Sequence, residues 1–267
     1  MSAKQDPEHL IDSIRYPITD PESPEFAAVA MAARKIFDAE GLALLPGFLT
    51  PATRKAMAAE AKAAQPGSYR RDISFSVYRD ETADRPPDGH PALAPSPFRQ
   101  WVIATDLLPE YGALRSLFHW EPLTHFVGAL VGERLYCTAD PLAACNVTVM
   151  REGDQHGWHF DSNDFVVSLL LQAPEAGGQF EVRHAARTES GIDHEAVAQT
   201  LAGNDPAIMR PPLAEGTLSI FRGARALHRV SPVRGNRQRT IALFSYDRQP
   251  GMMFSDAVRM GAFGRVA

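Results

Sequence analysis

The stretch HGWHFD, residues 156–161, places two imidazoles with ligand-type spacing and a carboxylate within six positions. On a strand, residues two apart point to the same side. His159 and Asp161 would then share a face, with Phe160 turned the other way. Such a pair can fill two adjacent positions on a metal ion, and a third ligand must come from a distant strand. His228 is the best candidate. It sits in GTLSIFRGARALHRVSPV, where one strand ends, a glycine-containing turn intervenes, and the next strand begins with the histidine. Two imidazoles and one carboxylate on one side of an octahedral ion leave open positions for a bidentate co-substrate and O₂, the donor set of non-haem Fe(II) oxygenases. His-x-Asp alone is a weak motif, because spaced histidines and acids are common at strand ends.

Arg239 strengthens it. This arginine follows His228 by eleven residues and opens RTIALFSYD, whose alternation marks a core strand. A guanidinium facing inward there demands a carboxylate partner. The far carboxylate of 2-oxoglutarate can accept two parallel hydrogen bonds from its planar fork. Asn146, in ACNVTVM, is a polar residue in an otherwise apolar strand. A buried amide needs partners, and it could satisfy nearby backbone or reach co-substrate or substrate. Trp158 is a packing residue or a substrate contact.

The elements that position these residues fall into two halves. SPEFAAVAMAARKIFDAEG is a helix capped by Ser23, with Pro24 in its first turn, Phe26, Val29, Ala33 and Ile36 along one face, and Gly41 as its stop. A short apolar strand, LALLPGFL, follows, and a second capped helix starts at Thr50-Pro51. Residues 67–98 read as a long irregular segment, functional or disordered. Two more helices are expected around LPEYGALRSLFHW and PLTHFVGALVG. From residue 134 the pattern changes to short β-type runs separated by turns, broken by a helical insertion at DHEAVAQTLAG. The fold class is mainly β with α: a jelly-roll or cupin-like core buttressed by N-terminal helices. The expected organisation is one domain, 1–267, with helical support and a substrate loop in 1–133 and the core in 134–248.

Bulk properties exclude several classes. A net charge of −5 leaves no electrostatic footprint for nucleic acid. No run approaches the length of a membrane span, and the polar N-terminus lacks an apolar targeting region. Two cysteines, Cys137 and Cys145, make no disulfide framework and fit a reducing compartment. The expectation is a cytoplasmic enzyme; a homodimer is compatible with it.

The segment carrying NVTVMREGDQHGWHFD, GGQFEV, GTLSIFRG and LHRVSPVRGNRQRT resembles the Fe(II)/2-oxoglutarate-dependent dioxygenases with a double-stranded β-helix core. More narrowly, it is similar to the family of radical halogenases of free lysine and related amino acids, together with their hydroxylating relatives. The narrower match rests on His156, three positions before the first ligand, and on the step from His228 to Arg239. The resemblance implies Fe(II), 2-oxoglutarate and O₂ as cofactor and co-substrates, with release of succinate and CO₂. It implies His156 as a contact for the carboxylate of a free amino acid or analogue, assisted by an arginine of the N-terminal half, Arg99 or Arg79. The halogenases carry a small residue where this sequence has Asp161, and chloride takes the vacated position. The retained carboxylate implies hydroxylation, or another oxidation of a C–H bond, instead. The family's lysine-binding polar residues are not evident in IALFSYD. Two alternatives stay open: the same chemistry on a protein or carrier-bound substrate, and a cupin-like metalloprotein that does not use 2-oxoglutarate, which leaves Arg239 without a role.

Overall fold

Local capping chemistry accounts for the helices. In the computed structural model, which describes residues 6–78, 86–88, 90 and 93–267, helix α1 (Pro24–Glu40) starts where the Ser23 side chain accepts a hydrogen bond from the Phe26 amide. It stops at Gly41, whose φ of 68° is left-handed. Its buried residues are Phe26, Ala30, Ala33 and Phe37. Ile36, expected on that face, is 46% exposed. Four residues on from Ala33 the larger Phe37 takes the inward position, so the stripe passes Ile36 by. Helix α2 (Pro51–Ala64) is capped by Thr50. Helices α3 (Ala113–Phe118) and α4 (Glu121–Val131) complete the N-terminal layer. Helix α5 (His194–Leu201) is the expected insertion, and α6 (Asp256–Phe263) follows the last strand.

Among the described residues, ten strands make the main sheet. They are β1 (Leu42–Leu45), β2 (Tyr69–Phe75), β3 (Ser96–Ile103), β4 (Cys145–Met150), β5 (Gln155–His159), β6 (Val166–Gln172), β7 (Phe180–Arg183), β8 (Leu218–Phe221), β9 (Leu227–Val230) and β10 (Arg239–Phe244). Their order is β1-β8-β6-β10-β4-β3-β5-β9-β7, all antiparallel, with β2 added on β3. Strand β3 changes partner along its length. Trp101 to Ile103 pair with β4, and Phe98 and Arg99 pair with β5.

The two faces of the sheet differ in chemistry. Val147, Val149, Val167, Leu169, Leu171, Leu218, Ile220, Ala242 and Phe244 join one core cluster with residues of α1, α2, α3 and α4. Each such aliphatic or aromatic side chain contributes about 1.5–3 kcal/mol when fully buried. Their strand neighbours necessarily face the interior: Asn146, Thr148, Ser168, Ser219, Arg239 and Ile241. One face of the sheet is greasy; the other can hold a polar ligand.

Residues 67–98 are not irregular throughout. Strand β2 pairs with β3 over seven positions, from Tyr69 opposite Val102 to Phe75 opposite Ser96. Its sequence, YRRDISF, lacks an alternating apolar face because it lies on the edge and is mostly exposed. Strands β1, β2 and β3 therefore join the same sheet from the first half of the chain. Asp140 anchors the C-terminal segment. Its carboxylate accepts from the Leu142, Ala143 and Phe254 amides and from Arg259 on α6, at 2.8–3.0 Å. Both cysteines are free. Among the described residues, no helix is long and apolar enough to cross a membrane.

Candidate active site

His159 ends β5, and His228 stands directly opposite it on β9. The third candidate ligand is thus distant in sequence but on the adjacent strand. Asp161 follows two residues later, its amide donating to the Gly223 carbonyl at 3.1 Å. A Cβ at Gly223 would lie 2.6 Å from Asp161 Oδ2, so only glycine lets the turn come this close. The Nδ1 of each imidazole lies 2.9 Å from a backbone carbonyl two residues earlier, Gly157 for His159 and Ala226 for His228. Those carbonyls accept from the Nδ1–H groups, so the Nε2 atoms are the ones that face the carboxylate.

The Nε2 atoms lie 3.3 and 3.2 Å from Asp161 Oδ1 and Oδ2. One ligand atom from each residue falls within 4.8 Å of the others. Burial and the neighbouring His228 lower the His159 pKa. Burial works to raise that of Asp161, but the two imidazoles outweigh it and hold the carboxyl well below its usual range. Two imidazoles and a carboxylate whose nitrogen and oxygen atoms converge in this way form a donor set that a divalent cation satisfies, and it fits Fe(II).

Arg239 opens β10 on the interior face and is only 4% exposed. Among the described residues no ion pair or hydrogen bond reaches its side chain, and burial alone lowers its pKa to about 10. It is charged at neutral pH. A buried, unpaired charge costs several kcal/mol, on the order of 3–5 where a partner has been removed. An anion that binds from outside relieves that cost, and the far carboxylate of 2-oxoglutarate fits. Ser168 and Ser219, joined at 2.7 Å, lie on the same interior face. Asn146 is on it too, its amide donating to the Ala143 carbonyl at 3.3 Å.

A β-bulge decides where His156 points. His159 pairs with His228 but His156 with Val230, so three residues of β5 span two of β9. The extra residue turns His156 to the ligand side, where its ring stacks on Phe98 with centroids 4.9 Å apart. Phe98 meets His159 edge-on at 4.6 Å. His156 Nε2 is hydrogen-bonded to Gln100 Oε1. Burial and the cations around it, Arg239 and Arg71 among them, hold His156 well below its ordinary pKa.

Arg71 on β2 lies opposite Gln100, its guanidinium 5.8 Å from the Phe98 ring. Arg99 is not in the site. Alternation along β3 turns Phe98 and Gln100 inward and Arg99 outward, where it pairs with Asp72 at 3.4 Å. Arg79 lies outside the described residues. Trp158 is on the opposite face from the ligands, buried with Val77, Tyr78, Phe160 and Leu227 and covered by Arg229 at 4.8 Å. Its role is packing.

Sequence reasoning missed Arg71, Gln100, Phe98, Phe180 and Phe221. The last two wall His228, with centroids 5.8 and 4.9 Å away. Period-two alternation from Ser219 to Phe221 was the available signal for one of them.

The family model described as Halogenase D matches residues 27–253. No curated protein matches the chain. Among solved structures, an oxidoreductase of the 2OG-Fe(II) oxygenase family from Burkholderia pseudomallei is 19% identical with a TM-score of 0.53, covering 83% of this chain and 92% of that one. HygX from Streptomyces hygroscopicus, solved with nickel, 2-oxoglutarate and hygromycin B bound, is 13% identical with a TM-score of 0.55, over 82% and 87% of the two chains. The epimerase SnoN, in complex with Fe3+, alpha ketoglutarate and nogalamycin RO, is 13% identical with a TM-score of 0.54, over 82% and 84%. The sheet is thus the double-stranded β-helix of the 2-oxoglutarate/Fe(II) oxygenases. The family match runs from within α1 to beyond the last strand and includes every residue of the triad, and the chain belongs to the halogenase D family.

Proposed function

We propose that the chain is a single-domain Fe(II)- and 2-oxoglutarate-dependent oxygenase that hydroxylates an unactivated C–H bond of a small, amino-acid-like substrate. The observation that carries this reading is one interior face holding both the converging His159–Asp161–His228 donors and the unpaired Arg239. Bound iron, with 2-oxoglutarate and O₂, supplies oxidation of the C–H bond while 2-oxoglutarate leaves as succinate and CO₂.

The chain's own residues do the positioning. His159, Asp161 and His228 hold the metal, with both imidazoles fixed in one tautomer by backbone carbonyls. Arg239 binds the far carboxylate of the co-substrate. Asn146, Ser168 and Ser219 offer polar contacts along its length. Arg71 and His156, both against the Phe98 ring, form a cationic and hydrogen-bonding pair suited to a substrate carboxylate. Phe98, Phe180 and Phe221 keep water from the ligands. A zinc or cupin-type reading explains the triad but leaves Arg239 charged and uncompensated.

Anaerobic addition of Fe(II) and 2-oxoglutarate tests the cofactor half. A weak visible charge-transfer band is expected from the unmodified protein and none from His228→Ala or Asp161→Ala. A band of normal strength in either folded variant would refute the triad. Free amino acids, screened by succinate release and product mass, test the substrate half. Turnover stimulated only by a peptide or carrier-bound compound would overturn it. Because Asp161 keeps its carboxylate, the product is hydroxylated, desaturated or cyclised, and no chlorinated product forms even at high chloride.

A further inference from the structure

A cleft of about 560 Å³ opens beside Arg239, within the size range of small-molecule sites. Its inner wall is Arg239, Leu170 and Phe180, and Ala173 and Ala214 stand toward the outside. Ala214 is exposed, so the cleft reaches solvent. None of His156, His159, Asp161, His228, Arg71 or Phe98 lines it. The cleft therefore approaches the anchor end of the interior without passing the metal or the proposed substrate clamp. Phe180 belongs to both spaces, lining the cleft and packing 5.8 Å from the His228 ring, which makes it the partition between them.

Charge and backbone agree with a passage for an anion. Arg210 and Arg239 line the cleft against one carboxylate, Glu175. Arg210 is held by Glu181 at 3.1 Å, which Arg229 also contacts at 2.7 Å, so that group carries a net positive charge. Gly178, with a left-handed φ of 58°, brings the loop backbone over Arg239. A Cβ there would lie 3.2 Å from Arg239 Cδ and 2.8 Å from Pro174. The Gly178 amide donates to the Pro232 carbonyl at 3.2 Å, fixing the loop in that place. Glycine leaves the guanidinium reachable where any side chain would crowd it.

We infer that this cleft is a separate port for the co-substrate, through which 2-oxoglutarate reaches Arg239 and succinate leaves without crossing the substrate site. The inference rests on the 2-oxoglutarate reading above.

The test is stopped-flow mixing of anaerobic Fe(II)-loaded protein with 2-oxoglutarate, following the visible band, in the unmodified chain and in Ala173→Phe/Ala214→Phe. Neither position touches the ligands or Arg239's proposed partner. Plugging a port should slow association and dissociation together, each by about tenfold, with equilibrium affinity little changed. The single variant Ala214→Phe, at an exposed site, serves if the double variant does not fold. Unchanged rates in a folded variant would overturn the port, as would a loss of affinity with association untouched, which marks a damaged pocket wall. If the unmodified protein shows no band and no Arg239-dependent binding of 2-oxoglutarate, the oxygenase reading fails first and the port with it.

Discussion

At the scale of single residues, the site is a set of charges left unbalanced by the protein itself. Arg239 shows this most directly, because its guanidinium is buried with burial alone shifting it. Arg239→Met should therefore raise the thermal stability of the ligand-free protein, by about 1–4 kcal/mol if it behaves like other buried charges replaced by apolar groups. The same change should abolish the stabilisation that 2-oxoglutarate gives, because a charged hydrogen bond worth about 2–5 kcal/mol is lost. Melting curves with and without 2-oxoglutarate check both halves; an unchanged response to the co-substrate would move the anchor elsewhere. The two arginines of neighbouring strands make a second comparison. Arg71→Ala should raise KM for a carboxylate substrate by about tenfold or more, the loss of a charged contact. Arg99→Ala, which frees only an exposed pair with Asp72, should change it little. Equal effects would remove Arg71 from the clamp.

At the scale of elements, the β5 bulge carries the arrangement. Gly157 sits within it, and a Cβ there would lie 2.3 Å from both Cβ and Oγ of Ser96. Gly157→Ala should push β3 off β5, at a cost of about 1–3 kcal/mol, and separate His156 from Gln100. Lower melting temperature together with weaker metal retention is the expected pair of results; a fully stable variant with normal metal content would show that the strands yield without harm. The same element explains what the sequence could and could not tell. Helix α1 and helix α2 were legible because Ser23, Thr50 and the following prolines are local signals. That His159, Asp161 and His228 come together was legible because a His-x-Asp pair and a histidine opening a later strand are chemical signals in the sequence itself. Strand β2 was not, since its exposed edge sequence carries no alternation. Arg71 and Gln100 escaped for a related reason: their place beside His156 is created by pairing β2, β3 and β5 across long separations, and by a bulge that composition does not announce.

At the scale of the whole molecule, one buried carboxylate ties the C-terminal segment to the sheet. Asp140 gathers four donors from residues 142, 143, 254 and 259, and although burial works to raise its pKa, they hold it low. A carboxyl whose pKa falls on folding adds stability above its unfolded value, near 3.9, and that contribution is lost as pH falls through the folded value. Asp140→Asn should lower stability at neutral pH by about 1.5–3 kcal/mol and flatten the decline below about pH 4. Parallel acid-denaturation curves for the two proteins would discount the role. The strand β3 has a wider consequence. It is hydrogen-bonded to β4, beside β10 with Arg239, and to β5, which carries His156 and His159. The span from the His159–Asp161–His228 cluster to the Arg239 guanidinium is thus set by a continuous ladder of backbone bonds and not by loops that could relax. On the proposed reading the interior behaves as a ruler: a 2-oxo diacid with one methylene more or fewer should forfeit either the chelate or the arginine, a penalty of about 2–5 kcal/mol.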